Sequence, residues 1–244
     1  MILVLFDIDG TLISTDNAGL RAFQRAMRNI YNLQIEKSAI SPDGKTDPLI
    51  LKEFLKSYNS MDLWSLNSEK KLFAKYLEYL REEMILALNT NRARILPGVK
   101  KLLNRLSSQS DFAIGLATGN IEAGARIKLE HIGLYDYFGF GGFSSDSEDR
   151  TILTRIGIER GEAHVFPASV DGVFVVGDTP FDVSHGRAAG AWVIAVASGN
   201  YKVVDLQNCE PDLVVPDLNS TDHIVSFMRK QSIIRKRESA VGNP

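Results

Sequence analysis

The stretch Ile2-Leu3-Val4-Leu5-Phe6-Asp7-Ile8-Asp9-Gly10-Thr11-Leu12 runs apolar strand formers straight into two aspartates and a glycine. A short, continuous apolar run reads as a strand buried on both faces, the habit of parallel sheets. Further runs follow the same plan at Phe112–Ala117, Val173–Val176, Trp192–Ala197 and Leu213–Val215, each followed by small or polar residues. Helical patterns separate them at Gly98–Leu106, Gly124–Ile132, Thr151–Arg160 and Asp182–Ala189. Strands alternating with helices predict an α/β protein built on a doubly wound parallel sheet.

Between about Asn17 and Leu88 the pattern changes. Leu20, Phe23, Met27 and Ile30 recur at helical spacing, then Leu51, Phe54 and Leu55, then Leu72, Phe73, Tyr76, Leu77 and Leu80. No strand pattern interrupts them, so residues 16–89 are expected to form an all-helical insert. Linkers are expected at Ser14–Asn17 and Asn89–Arg94, leaving residues 1–15 and 90–228 as the α/β core. Pro97 is suited to opening a helix as the chain re-enters that core. The tail, residues 229–244, is basic and lacks bulky apolar residues near its end, which predicts fraying.

The 244 residues are 44% hydrophobic and 24% charged, an ordinary globular composition. With 28 basic and 30 acidic residues the formal charge is −2, which offers no electrostatic footprint for nucleic acid or an anionic membrane. No apolar run approaches the ~20 residues of a membrane span. Met1–Phe6 lacks the basic start of a secretory signal. One cysteine, Cys209, excludes an internal disulfide framework and a thiolate zinc cage. A reducing, cytoplasmic setting is the expectation.

Three expected strand ends carry reactive groups. Asp7 and Asp9 follow the first. Thr118-Gly119-Asn120 follows Phe112–Ala117, and a hydroxyl with exposed N–H groups at a strand-to-helix junction makes an anion site. Gly177-Asp178-Thr179-Pro180-Phe181-Asp182 follows Val173–Val176. Each alone also reads as a turn, and Asp182 as the N-cap of the next helix. Acid, hydroxyl and acid at three strand ends are hard to explain as turns, because open parallel sheets bind ligands beyond their carboxyl ends.

This constellation resembles the haloacid dehalogenase superfamily, most closely its capped, phosphoglycolate phosphatase-like branch. The motif of two aspartates is met by Asp7 and Asp9, the hydroxyl motif by Thr118, and the terminal acidic motif by Asp178 and Asp182. The resemblance implies a Rossmann-like core with the helical insert as a cap. It also implies a phosphomonoester hydrolase working through an aspartyl-phosphate: Asp7 as nucleophile, Asp9 as general acid and base. Two unit anions about 4 Å apart repel by about 4 kcal/mol at an effective dielectric of about 20, so such a site needs a cation. The implied cofactor is Mg²⁺, held by Asp7, the Asp9 carbonyl and Asp178. Thr118, with Gly119 and Asn120, would bind the phosphoryl oxygens. Asp182 would support the site from behind, orienting water or Arg150.

The family usually places a lysine between the second and last motifs. Here the matching stretch is Ser144-Ser145-Asp146-Ser147-Glu148-Asp149-Arg150, and Arg150 is read as the substitute cation, with a planar fork in place of a point charge. Lys128 is the other candidate, and its place in the preceding helix reads as a solvated face. Within the insert, Asp43-Gly44-Lys45-Thr46-Asp47 lies between Pro42 and Pro48 and is expected to be a loop. Lys45 and Thr46 would meet the substrate there, or Thr46 or Asp47 would simply cap the next helix. A Schiff-base role for Lys45 is disfavoured by its polar surroundings. The expected substrate is a small phosphorylated metabolite, and the chain a monomer or homodimer. A sugar-phosphate mutase similar to β-phosphoglucomutase is the alternative, and a phosphonate or haloacid hydrolase a lesser one. Asp9 favours phosphoryl transfer, since a departing halide needs no proton.

Overall fold

The computed structural model describes residues 1–33 and 41–241. In chain order the elements are β1 (Ile2–Phe6), β2 (Ile13–Ser14), α1 (Ala18–Tyr31), α2 (Asp47–Ser57), α3 (Leu66–Asn89), β3 (Arg94–Ile95), α4 (Val99–Ser107), β4 (Phe112–Thr118) and α5 (Glu122–His131). They continue with β5 (Phe140–Phe143), α6 (Arg150–Val165), β6 (Gly172–Gly177), α7 (Pro180–Ala188), β7 (Trp192–Val196), α8 (Val203–Gln207), β8 (Leu213–Val215) and α9 (Thr221–Val241).

The six long strands form one parallel sheet in the order β5-β4-β1-β6-β7-β8. From β1 the chain builds outward through β4 and β5, then crosses to β6, β7 and β8 on the other side. That reversal is a topological switch point, where a crevice opens beyond the strand ends. Register aligns those ends, with Phe6 level with Leu116 of β4 and with Val176 of β6. Along β1, Val4 and Phe6 pack with Leu102, Leu129, Ile224 and Met228, while Leu3 and Leu5 pack on the opposite face with Ile158 and Val165 of α6. Both faces are covered, which is why the strand reads as an unbroken apolar run.

The helices α1, α2 and α3 carry a separate cluster of Phe23, Met27, Leu51, Phe54, Leu55, Tyr76 and Leu80. Each such side chain, fully buried, contributes roughly 1.5–3 kcal/mol. Ile121 and Ile127 complete this cluster from the α/β side, so the helical layer rests on α5. Arg21 and Arg25 of α1 both pair with the buried Glu83 of α3, at 2.7 and 3.0 Å.

Three features depart from the sequence expectations. β5, Phe140-Gly141-Gly142-Phe143, is a strand that the sequence expectations do not include. Gly142 brings α6 directly onto the strand, since a Cβ there would stand 1.8 Å from the Leu153 carbonyl oxygen. The two expected linkers are zipped together in part, because β2 and β3 pair antiparallel with Ile13 opposite Ile95. Finally, α9 continues past Arg229, where fraying is expected. Ser232 is buried, and its hydroxyl donates to the Met228 carbonyl. Residues 242–244 of that tail, and 34–40 of the insert, lie outside the described residues.

Candidate active site

Asp7 follows β1, Thr118 ends β4 and Asp178 follows β6, so neighbouring strands deliver all three to one crevice. After Asp7 the chain folds back tightly: the N–H groups of Leu12 and Ile13 both donate to the Ile8 carbonyl, at 2.9 and 3.1 Å. Gly10 sits inside this turn at φ +85°, a conformation L side chains rarely adopt. A Cβ on Gly10 would stand 2.3 Å from Asp178 Oδ2. Thr11 Oγ1 donates to Asp178 Oδ1 at 3.0 Å, and Ser198 Oγ donates to the Gly10 carbonyl at 2.7 Å.

Arg150 opens α6 and is buried beneath these acids. Its Nη2 donates to Asp182 Oδ1 at 2.6 Å and to Asp7 Oδ1 at 3.3 Å. The other Asp182 oxygen accepts from the Thr179 N–H at 3.0 Å and the Thr179 hydroxyl at 2.7 Å. Thr179 is therefore the N-cap of α7 and Asp182 its capping-box partner, correcting the reading of Asp182 as the cap itself. Burial pushes the Asp7 carboxyl from 3.8 up to about 7, and the charge of Asp182 pushes the same way against the pull of Arg150. Asp178 is raised well above its ordinary value by burial, then by Asp182 and Asp7. Burial opposes the charge on Arg150, but Asp182 and Asp7 outweigh it and hold the guanidinium above its usual pKa.

Lys128 is not on a solvated face. It is 5% exposed, and its Nζ donates to Asp9 Oδ2 and to Asn120 Oδ1, both at 2.6 Å. The α5 face that carries it is apolar one turn back, at the buried Gly124 and Ala125. A charge placed on that stripe is the sequence signal that could have marked it. Asn120 Nδ2 donates to Asp9 Oδ2 at 2.9 Å and to Thr118 Oγ1 at 2.8 Å. Arg150 thus serves Asp7 and Asp182, and Lys128 serves Asp9.

Buried carboxylate oxygens of Asp7, Asp178 and Asp182 come within 4.8 Å of one another. This all-oxygen set, short of positive charge, suits a hard divalent cation. Asp182 is already engaged by Arg150 and Thr179, which leaves Asp7 and Asp178 as the fitting carboxylates. The Asp9 side chain stands outside that cluster.

Above the acids lies a chamber of about 390 Å³. Asp7, Asp9, Asp178, Arg150, Lys128, Gly119 and Asn120 line it from the α/β side, and Leu20, Phe23, Ile50 and Tyr76 of the helical layer, with Lys45 of the loop before α2, line it from the other. Thr118 is fully buried behind the α/β lining. Lys45 reaches the chamber wall, where its Nζ pairs with Glu53 at 2.5 Å. Thr46 points elsewhere: its hydroxyl donates to the Glu148 carbonyl at 3.1 Å, tying the loop to the α/β part. Neither Thr46 nor Asp47 caps α2 through its side chain. Asp47, to which the sequence assigns no site role, clamps the same junction. Its N–H donates to the Gly119 carbonyl and its Oδ2 accepts from the Ile121 N–H, each at 2.8 Å. Burial, more than any neighbour, raises the Asp47 carboxyl to about 6.

Comparison with known proteins points to one family. A family model described as "Haloacid dehalogenase-like hydrolase" matches residues 4–196. A relative in Dickeya dadantii, named "Probable phosphatase IndB", is 26% identical over 218 residues, spanning 87% of this chain and 88% of the relative. A phosphoglycolate phosphatase of Rhodospirillum rubrum is 24% identical over 208 residues, spanning 80% and 79%. Among solved structures, a β-phosphoglucomutase from Clostridium difficile superimposes with a TM-score of 0.70 at 20% identity, covering 96% of this chain and all of that one. The chain belongs to the haloacid dehalogenase-like hydrolase family. With its relatives so named, it is an enzyme of the phosphatase class. Among the described residues no helix is long and apolar enough to cross a membrane.

Proposed function

We propose that the protein hydrolyses phosphomonoesters of small metabolites, with Asp7 as nucleophile and Asp9 as general acid and base. What carries the reading is the contrast between the two carboxylates. Asp7 is buried against Arg150, while the Asp9 side chain is 43% exposed and lines the chamber. A buried, oriented carboxylate suits attack on phosphorus, and one open to the chamber suits proton exchange with a leaving group and then with water. Arg150 draws charge from Asp7 and keeps it aimed. The N–H group of Gly119 is suited to a phosphoryl oxygen. Asp7 and Asp178, with the Asp9 carbonyl, would hold Mg²⁺, which when bound neutralises charge between these acids and the phosphate. The closed loop 42–46 excludes bulk water during transfer.

The chamber volume supports a metabolite-sized substrate, and Lys45 is the lining residue best suited to touch its leaving group. The test is phosphate release with Mg²⁺ from a panel of sugar phosphates, phosphoglycolate and nucleotides. Wild type should release phosphate and Asp7→Asn should not; equal release by both would end the reading. An isomerised sugar phosphate in place of free phosphate would instead mark the mutase.

A further inference from the structure

We infer that Lys128 is a positioning residue for Asp9, holding one carboxylate oxygen so that the other is presented to the leaving group. This rests on the phosphatase reading above and adds a residue to it. Lys128 Nζ and Asn120 Nδ2 converge on the same atom, Asp9 Oδ2, at 2.6 and 2.9 Å. Among the described residues no hydrogen bond reaches Oδ1. Asn120 is itself held from both sides, donating to Thr118 Oγ1 and accepting from Lys128. The three side chains form a closed triangle whose one loose corner is the free oxygen of Asp9.

A buried ammonium is costly unless it is paired. A purely structural residue at this point of the apolar α5 face would do as well without a charge. Arg150 serves other carboxylates, its Nη2 donating to both Asp7 and Asp182. The helical layer makes room for the lysine: a Cβ on Gly19 of α1 would sit 3.4 Å from Lys128 Nζ. In the first half-reaction the bond from Asp7 to phosphorus forms as the bond from phosphorus to the ester oxygen breaks, and the proton on Asp9 Oδ1 passes to that oxygen. In the second half-reaction Asp9 takes a proton from the water that attacks phosphorus, and the Asp7 carboxylate is released.

A role in aiming the acid has a signature that plain scaffolding or direct phosphate binding lacks. It matters for a leaving group that needs a proton and little for one that does not. The measurement is kcat/KM for glycerol 3-phosphate and for p-nitrophenyl phosphate in wild type, Lys128→Met, Lys128→Arg, Asp9→Asn and the Asp9→Asn/Lys128→Met double variant. Lys128→Met is expected to lose about 100-fold on the alkyl ester and less than about tenfold on the nitrophenyl ester, given the usual size of general-acid catalysis. Lys128→Arg is expected to recover part of the alkyl-ester loss. In the Asp9→Asn background, Lys128→Met should cost less than about threefold, because the two residues act as one unit. The ratio of the two esters is taken within one preparation, so any loss of folded protein cancels. Equal losses on both esters, in an enzyme that Asp7→Asn still silences, would overturn this role alone. A wild type without Asp7-dependent phosphate release would overturn the phosphatase mechanism and this role with it.

Discussion

Asp7→Asn is expected to stabilise the metal-free protein above neutral pH, although it removes the proposed nucleophile. The Asp7 carboxyl is raised from 3.8 to about 7, by burial first and by Asp182 next. Between those two values the folded chain keeps a proton that the unfolded chain has released. Its contribution to stability therefore falls as pH rises through that window. At about 1.4 kcal/mol per unit, the shift sets a ceiling of ~4 kcal/mol by pH 8. The amide keeps the shape of the side chain but leaves Arg150 paired with Asp182 alone, so roughly half the ceiling, ~2 kcal/mol, is the expected net gain. Asp47 is raised in the same sense and cancels when the variant is compared with wild type at each pH, whereas Asp178, raised in part by Asp7, relaxes in the variant and adds to the gain. Urea unfolding in EDTA at pH 5, 6, 7 and 8 measures that difference. It should be smallest at pH 5 and widen in favour of Asp7→Asn. Adding Mg²⁺ should stabilise wild type more than the variant, since a ligand that prefers the native state adds to its stability. A difference that does not change with pH, or a wild type that is the more stable at pH 8, would refute the account of a charge-strained site.

Arg150→Met leaves Asp7 and Asp182 buried without their cation, so a stability loss of about 3–5 kcal/mol is expected in thermal or urea melts. Phosphate release should fall at least 100-fold, on the order of other losses of positioned charge, and Arg150→Lys should recover part of it. Gly119→Ala would place a Cβ 2.1 Å from the Lys45 carbonyl oxygen. The loop 42–46 then cannot seat, and KM for a small ester should rise about tenfold, equivalent to about 1.4 kcal/mol, with a melting temperature close to wild type.

The sheet was legible because its strands are buried on both faces and so announce themselves as apolar runs. Asp7 and Asp178 could be placed because each directly follows such a run. β5 hid because its glycines serve close packing against α6, a demand set by tertiary structure. The β2–β3 ribbon hid because two-residue strands carry no period. Lys128 was misread for a related reason: its helix face is settled by what lies above α5, and the sequence does not say where the helical layer docks. Arg150 is easier to read, because it opens a helix directly after a polar loop. Thr46 shows the limit of motif reading within loops. Its residue type suited a substrate contact, yet its hydroxyl is spent on the Glu148 carbonyl.

Asp47 grips the peptide groups on either side of Asn120, the Gly119 carbonyl before it and the Ile121 N–H after it. Asn120 in turn steadies the acid. Swinging the helical layer away to admit or discharge a molecule would free both peptide groups at once and slacken that support. If Asp9 acts as proposed, the arrangement would work like a door switch, with proton transfer armed only behind a shut door. A stray water arriving at the open site would then meet an acid that is not yet aimed.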